Sequence, residues 1–170
     1  MEKQIKSIPT KYKNYKFRSR TEARYAIYFD ALGVKWDYEL EGYELPSGKL
    51  YLPDFYFKDY DVFGEIKPSN FESDPKHSEF VLSSGKSLLI FTGPPSDAQA
   101  DFLWKEGSYP FACKTDGRAF PEEITGKKGL GIIFNYSDIF SYNYPAQEYA
   151  LKQANCATFE YGAKNNIKPF

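Results

Sequence analysis

The chain has few of the residues that most often build metal and redox centres. It contains one histidine, one methionine and two cysteines among 170 residues. The cysteines, Cys113 and Cys156, are far apart and form no metal-ligand spacing, which argues against a structural zinc site. Distant, unpaired cysteines are typical of buried thiols in a reducing compartment, so we expect reduced side chains and a cytoplasmic location.

Long apolar runs are also missing. No segment approaches the roughly 20 apolar residues that a membrane span requires. The first residues, Met1-Glu2-Lys3-Gln4, do not resemble the apolar stretch of a signal peptide. We therefore expect no membrane partner. A net charge of -1 gives no support by itself to nucleic-acid binding.

The charges are unevenly distributed, however. Residues 1–20 contain seven cations against one acid, which leaves 15 basic and 22 acidic residues in the rest of the chain. Tyr12, Tyr15 and Phe17 alternate with these cations. Such a segment is either a basic arm that follows a phosphate backbone or a solvated tail, and charge alone favours neither. The candidate nucleic-acid-binding residues are Lys13, Lys16, Arg18, Arg20 and Arg24, although the arginines could equally form a charged helix edge.

The sequence predicts one α/β domain, with an arm at 1–20, a core at 17–95 and an extension at 96–170 packed on the core. Ser19 as N-cap, Glu22 three residues later and Gly33 after the end predict a first helix. Apolar runs and turn residues predict the other elements. The expected helices are Thr21–Leu32, Pro75–Ser84, one from Ser96 to near Gly107 and Ala146–Ala157, and the expected strands are Trp36–Leu40, Tyr43–Leu45, Leu50–Phe57, Val62–Lys67, Ser87–Phe91 and Leu130–Tyr136.

Four charged side chains stand out from this pattern. Asp54 follows Pro53 on one predicted strand, and Glu65 lies on the next strand, so the two carboxylates can converge. Lys67 lies two residues after Glu65 and therefore leaves the same strand face. Glu22 lies on the apolar face of the first helix. Carboxylates on a hydrophobic sheet are costly to bury, and a divalent cation would offset that cost.

These residue types suit phosphodiester hydrolysis. Mg²⁺ prefers oxygen ligands and keeps several waters, so Asp54, Glu65 and the backbone carbonyl of Ile66 would form a sufficient protein contribution. Lys67 would orient the attacking water and stabilise charge, and Glu22 would bind a second metal through water or hold Lys67. Mg²⁺ or Mn²⁺ would activate water and neutralise the phosphate.

Each of these residues also has an interpretation without chemistry. Asp54 could be a turn or strand-end aspartate after proline, and Glu65 with Lys67 could be a same-face ion pair on a solvated strand. A capping box alone would explain Glu22. His77 shares a helix face with Phe80 and is expected to pack in the interior, although it could face the site.

The residues also resemble a known family. Phe17 to Arg24, Tyr38-Glu39, Tyr51 to Phe55 and Glu65-Ile66-Lys67-Pro68 are similar to the PD-(D/E)XK nuclease superfamily, in particular to its small phage and prophage members. The resemblance covers about the first 95 residues, and more weakly Ala154 to Gly162. It implies a restriction-endonuclease-like αβββαβ core, with a mixed central sheet flanked by helices and a C-terminal β-rich and helical extension.

The same resemblance implies a metal-dependent nuclease in the cytoplasm of a host cell, with Asp54, Glu65 and Lys67 as the signature and Glu22 as the first-helix acid. DNA is the expected substrate. Two alternatives remain open: a nuclease-fold module that binds a host protein or nucleic acid without cutting, and a junction or flap nuclease that acts as a homodimer.

Overall fold

The structure is a computed structural model that describes residues 7–103, 110–111 and 144–159. This part of the chain contains three α-helices and ten short strands. The helices are α1 (Arg20–Ala31), α2 (Pro75–Ser84) and α3 (Tyr144–Cys156), and a 3-10 turn covers Pro95–Asp97. The strands are β1 (Thr10–Tyr12), β2 (Tyr15–Phe17), β3 (Asp37–Tyr38), β4 (Tyr43–Glu44), β5 (Leu50–Tyr51), β6 (Phe55–Phe57), β7 (Val62–Lys67), β8 (Ser87–Thr92), β9 (Gln99–Leu103) and β10 (Pro110–Phe111).

A six-stranded mixed sheet organises the molecule, in the order β10-β9-β8-β7-β6-β3. Among the described strands, only β7 and β8 pair in parallel, and α2 connects them. Parallel neighbours require such a crossover, whereas the antiparallel pairs β3–β6, β6–β7 and β8–β9 do not. Two small ribbons, β1–β2 and β4–β5, lie outside this sheet. The prediction of a mixed sheet flanked by helices is therefore confirmed.

The helix ends follow from local chemistry. The Ser19 side chain accepts a hydrogen bond from the backbone N–H of Glu22, and Asp74 accepts one from Lys76, so both are N-caps as predicted. Pro75 starts α2, where a missing N–H costs nothing. Gly85 ends it at φ 64°, a left-handed conformation that glycine adopts without strain.

Aromatic side chains fill both faces of the sheet. Alternate residues of β8 face opposite layers: Leu89 and Phe91 pack in the cluster with α1 and α3, and Leu88 and Ile90 pack in the cluster with α2. This continuous apolar run fits a strand that is buried on both sides. Most of the aromatic excess therefore serves the core.

Several predicted elements need correction. The strand expected over Leu50–Phe57 is divided into β5 and β6, because Pro53 cannot donate a ladder hydrogen bond and the chain breaks there. β3 is shorter than expected, and Tyr43–Glu44 pairs with β5 outside the main sheet.

The helix predicted from Ser96 to near Gly107 is wrong. Gln99–Leu103 is a strand that pairs with β8, whose second edge needs hydrogen-bond partners, so tertiary pairing overrides the local capping pattern. The strand predicted at Leu130–Tyr136 lies outside the described residues.

Residues 10–17 of the predicted arm are folded onto the core. Within the described part, β1 and β2 form an antiparallel hairpin, and Phe17 is fully buried in the α1 cluster. The hydroxyl of Tyr12 donates a 2.7 Å hydrogen bond to Asp30, which ties the hairpin to the end of α1.

The expectation of buried cysteines is wrong for Cys156, which is exposed because it lies at the end of α3. Cys113 lies outside the described residues. No helix in the described ranges has the length and apolar character needed to cross a membrane.

Candidate active site

Asp54 lies at the break between β5 and β6, and its side chain is almost fully buried. One carboxylate oxygen accepts a 2.7 Å hydrogen bond from the backbone N–H of Ile66, and the other contacts the guanidinium of Arg18. Extension of the β6–β7 register, which pairs Phe55 with Gly64, places Asp54 opposite Glu65. The two predicted carboxylates therefore converge, and Asp54, at the bend before β6, is buried rather than solvated.

Glu65 lies on the α2 side of β7 and is 3 % exposed. Its Oε1 atom lies 2.5 Å from Nζ of Lys67, and its Oε2 atom accepts a 3.0 Å hydrogen bond from the hydroxyl of Tyr51. The predicted same-face arrangement of Glu65 and Lys67 is confirmed. The pair is buried rather than solvated, since the side chains are 4 % and 19 % exposed. This removes the interpretation of a surface ion pair.

Gly64, next to Glu65, is required by packing. A Cβ atom there would lie 2.8 Å from the ring of Phe57. Such a contact cannot be accommodated without moving the ring or the strand. The aromatic core therefore fixes the backbone of β7 immediately before the acid.

His77 approaches the same carboxylate from α2. Its ring is 2 % exposed and packs between Tyr51 and Phe71, at centroid distances of 5.7 and 5.6 Å. Its Nε2 atom lies 3.9 Å from Oε1 of Glu65, too far for a hydrogen bond, and has no hydrogen-bond partner within the described ranges. The sequence suggested a packing role, and the structure adds an unsatisfied nitrogen beside Glu65.

Glu22 reaches the site differently. Its carboxylate accepts hydrogen bonds from the hydroxyl of Tyr38 at 2.6 Å, the hydroxyl of Ser19 at 2.7 Å and the backbone N–H of Arg18 at 3.0 Å. The helix start thus resembles a capping box in which the acid takes the N–H of Arg18 instead of that of the cap. Glu22 contacts neither Lys67 nor Glu65 by hydrogen bond, but its charge acts on Asp54.

The electrostatics separate the two central acids. Burial raises the pKa of Asp54 to about 7, with help from the negative charges of Glu65 and Glu22 and against the Ile66 N–H and the Arg18 guanidinium. Burial also acts to raise the pKa of Glu65, but the neighbouring His77 and Lys67 outweigh it and lower that pKa. Burial next to Glu65 raises the pKa of Tyr51 well above its ordinary range, so this hydroxyl remains a donor.

The predicted nucleic-acid-binding cations are dispersed. Lys13 pairs with Asp30 at 2.8 Å, and Lys16 is exposed on the hairpin. Arg18 bridges Asp54 and Glu39, with its Nε atom 2.9 Å from the Glu39 carboxylate. Arg20 and Arg24 lie half-buried on α1, and each has a buried Nε atom. Of these cations, Arg18 contacts the carboxylate of Asp54.

Three partners of the site were not identified from the sequence. Tyr51 holds Glu65, Tyr38 holds Glu22, and Glu39 holds Arg18. Glu39 adopts φ 48°, which is uncommon for a residue with a side chain, and its N–H donates a 2.9 Å hydrogen bond to the carbonyl of Asp54. All three lie in stretches that carry the family resemblance, but that resemblance assigned them no contact with the site residues.

The donor set suits a hard cation. Within the described ranges, no group of three or more His, Cys, Asp or Glu side chains is arranged to hold a metal. The candidate ligands are the carboxylates of Asp54 and Glu65, to which the sequence analysis adds the Ile66 carbonyl. Each carboxylate already contacts one cationic side chain, Arg18 or Lys67, which shows that positive charge is favoured at both. Oxygen ligands of this kind fit Mg²⁺ or Mn²⁺, with water completing the shell.

Comparison of this chain with protein-family models, with curated proteins and with solved structures gives no match.

Proposed function

We propose that this protein is a metal-dependent nuclease with a restriction-endonuclease-like core, and that DNA is its substrate. The observation that carries the proposal is the convergence of Asp54, Glu65 and Lys67 in one largely buried cluster. The order of α1, β3, β6, β7, α2 and β8 agrees with the αβββαβ arrangement that the sequence resemblance implies. A merely structural ion pair would not require a second buried acid opposite the first.

In this proposal Asp54 and Glu65 hold Mg²⁺, together with the Ile66 carbonyl. The ion supplies charge neutralisation and an activated water when it is bound. Lys67 lies beside Glu65 and orients that water or stabilises the developing charge. Arg18, whose side chain is 54 % exposed, can leave Asp54 and contact a substrate phosphate.

Cleavage assays test the proposal directly. Supercoiled plasmid, single-stranded DNA, a branched junction and RNA are incubated with Mg²⁺, Mn²⁺ or chelator. We expect metal-dependent cutting that Asp54→Asn and Lys67→Ala abolish while the fold is retained. Lys86→Ala is the matched control. Lys86 directly precedes β8 and lies beside the start of β7, so it is a lysine at the opposite end of that strand from Lys67. Full activity of either site variant would overturn the mechanism.

One observation favours a second candidate, a nuclease-fold module that binds without cutting. Both central carboxylates already have cationic partners from the chain, so each acid is paired without an added ion. Calorimetry separates the two candidates. Binding of Mg²⁺ or Mn²⁺ that Asp54→Asn removes supports the nuclease, and absence of binding by the folded protein supports the module.

A further inference from the structure

A cleft lies apart from the carboxylate site, between the β1–β2 hairpin and the end of α1. Its volume is about 400 Å³, which is within the range of small-ligand sites. It is open to solvent and combines aromatic rings with charged groups. The lining residues are Lys13, Tyr15, Asp30, Gly33, Val34, Lys35 and Trp36.

The aromatic wall of this cleft is held in place by its surroundings. The rings of Tyr15 and Trp36 are 5.1 Å apart, and Trp36 packs edge-on against Phe55 at 5.5 Å. The indole N–H donates a 3.2 Å hydrogen bond to Asp30. The ring pair therefore has a fixed orientation, and both members contribute surface to the cleft. Ordered aromatic surfaces of this kind are the platforms on which unpaired bases stack.

Cations flank these rings. Lys13 lies at the hairpin turn, 2.8 Å from Asp30. The side chain of Lys35 is 72 % exposed, and its Nζ atom lies 3.3 Å from the carboxylate of the exposed Asp59. An exposed pair of this type is weak, so Lys35 can exchange its partner for a phosphate. Aromatic surface next to exposed cations is the combination with which proteins bind single-stranded nucleic acids.

A second observation concerns the hairpin itself. Lys11 and Lys16 are directly opposite each other in the β1–β2 register, on the strand face away from Tyr12 and Tyr15. Both are exposed, and neither has an ion-pair partner among the residues that the structure describes. Like charges in this position repel each other and destabilise the pairing. A polyanion that passes over the hairpin would relieve the repulsion.

We propose that the hairpin and its cleft bind unpaired nucleotides of a single-stranded nucleic acid. A base stacks on the Tyr15–Trp36 pair, and phosphates contact Lys35 and the hairpin lysines. β2 leads from Tyr15 towards Arg18, and β3 leads from Trp36 towards Glu39, so about three residues, or roughly 10 Å, separate the cleft from the carboxylate site. The bound strand is then the segment beside the cleavage point, a statement that rests on the proposed nuclease function.

Fluorescence provides the first test, because the chain has two tryptophans and Trp104→Phe leaves Trp36 as the sole indole emitter. This variant is titrated in chelator with oligothymidine or oligouridine of about 20 nucleotides, longer than the roughly 4–16 nucleotides that one compact binding fold covers. Duplex DNA of the same length is the comparison. We expect quenching of Trp36 by the single strands and weaker binding of the duplex. The two oligonucleotides distinguish DNA from RNA as the source of the strand.

Substitutions supply the second test. Tyr15→Leu keeps an apolar side chain but removes the ring, and we expect affinity for the single strand to fall by about 5-fold to 100-fold. Lys11→Ala with Lys16→Ala should lower the salt dependence of binding by roughly 0.7 in log–log slope per lysine. Lys86→Ala is again the control and should change neither quantity.

The proposal is overturned if the single strand leaves Trp36 fluorescence unchanged, or if folded Tyr15→Leu binds as tightly as the parent. Cleavage is scored separately. Quenching without any cleavage would leave the cleft established and the nuclease function refuted. Cleavage without quenching would support the nuclease function and overturn the proposal that the cleft binds the strand.

Discussion

The carboxylate site and the hairpin cleft differ in the burial and pairing of their charged side chains. In the site, Asp54 and Glu65 are buried, and both have cationic partners. In the hairpin region, Lys11, Lys16 and Lys35 are exposed and are weakly paired or unpaired within the described residues. Buried charges must be positioned before a ligand arrives, whereas exposed charges can adapt to it. The difference is what would be expected if the first region performs chemistry and the second holds a flexible chain.

The largest difference between the two regions is expected from substitution of Glu65, which should affect cleavage. Glu65→Gln keeps the size of the side chain but removes the charge that pairs with Lys67 and that, in the proposed function, would bind the metal. We expect cleavage to fall by about 100-fold to 10,000-fold, the range for loss of a positioned catalytic group. The assay measures initial rates at saturating Mg²⁺.

Glu22→Gln is the paired control for Glu65→Gln. Glu22 is bonded to Tyr38, Ser19 and Arg18 rather than to Lys67. Its loss should mainly destabilise the start of α1, by about 1–3 kcal/mol, because a buried acceptor is lost. If both variants lose activity equally while folded, Glu22 is part of the chemistry.

Tyr51→Phe sharpens the comparison from within the site. The hydroxyl donates to Oε2 of Glu65, and both groups are buried. Its removal leaves that oxygen unsatisfied, so we expect a loss of about 1–3 kcal/mol in the free energy of unfolding, measured by urea denaturation. The same change in the hairpin, Tyr12→Phe, removes a partly buried bond to Asp30 and should cost less.

The pH dependence provides a further contrast. The pKa of Asp54 is raised in the folded protein to about 7 from an ordinary value of 3.8. The stability from its protonated form is therefore fully present below pH 3.8 and is lost as pH rises through about 7. Asp54→Asn should remove this loss, so the variant should gain stability relative to the parent between about pH 4 and 7.

Glu65 has the opposite sign, because its pKa is lowered from 4.5. Its contribution is present above pH 4.5 and is lost as pH falls through the lowered folded value. Thermal melting across this range measures both effects. If the melting temperature of Asp54→Asn changes with pH in parallel with that of the parent, the prediction for Asp54 is contradicted. In the proposed function, Mg²⁺ affinity should rise with pH up to about 7, because ionised Asp54 would be the metal-binding form.

The smallest effect is expected in the cleft. Lys35→Ala removes one exposed cation whose pair with Asp59 contributes little, so stability should change by less than about 1 kcal/mol. Affinity for the single strand should fall a few-fold, and anisotropy in low salt measures it. An unchanged affinity would restrict phosphate contacts to the hairpin lysines.

Much of this arrangement follows from the sequence because its signals are local. Ser19, Asp74-Pro75 and Gly85 define helix ends through hydrogen bonds within a few residues. The two-residue spacing of Glu65 and Lys67 puts both on one strand face in any register. The helix expected after Ser96 failed for the converse reason, since the distant strand β8 determines the conformation of Gln99–Leu103.

The sequence by itself determined the helix caps, the β7 strand and the set of acids and cations available for chemistry. Only the tertiary structure decided which side chains contact each other. Arg18 contacts Asp54, Tyr51 and His77 lie against Glu65, and Tyr38 contacts Glu22. It also decided that residues 10–17 form a hairpin beside Trp36. Side-chain identity fixes which interactions are possible, but burial and cross-strand register select among them, and both depend on contacts between residues far apart in the chain.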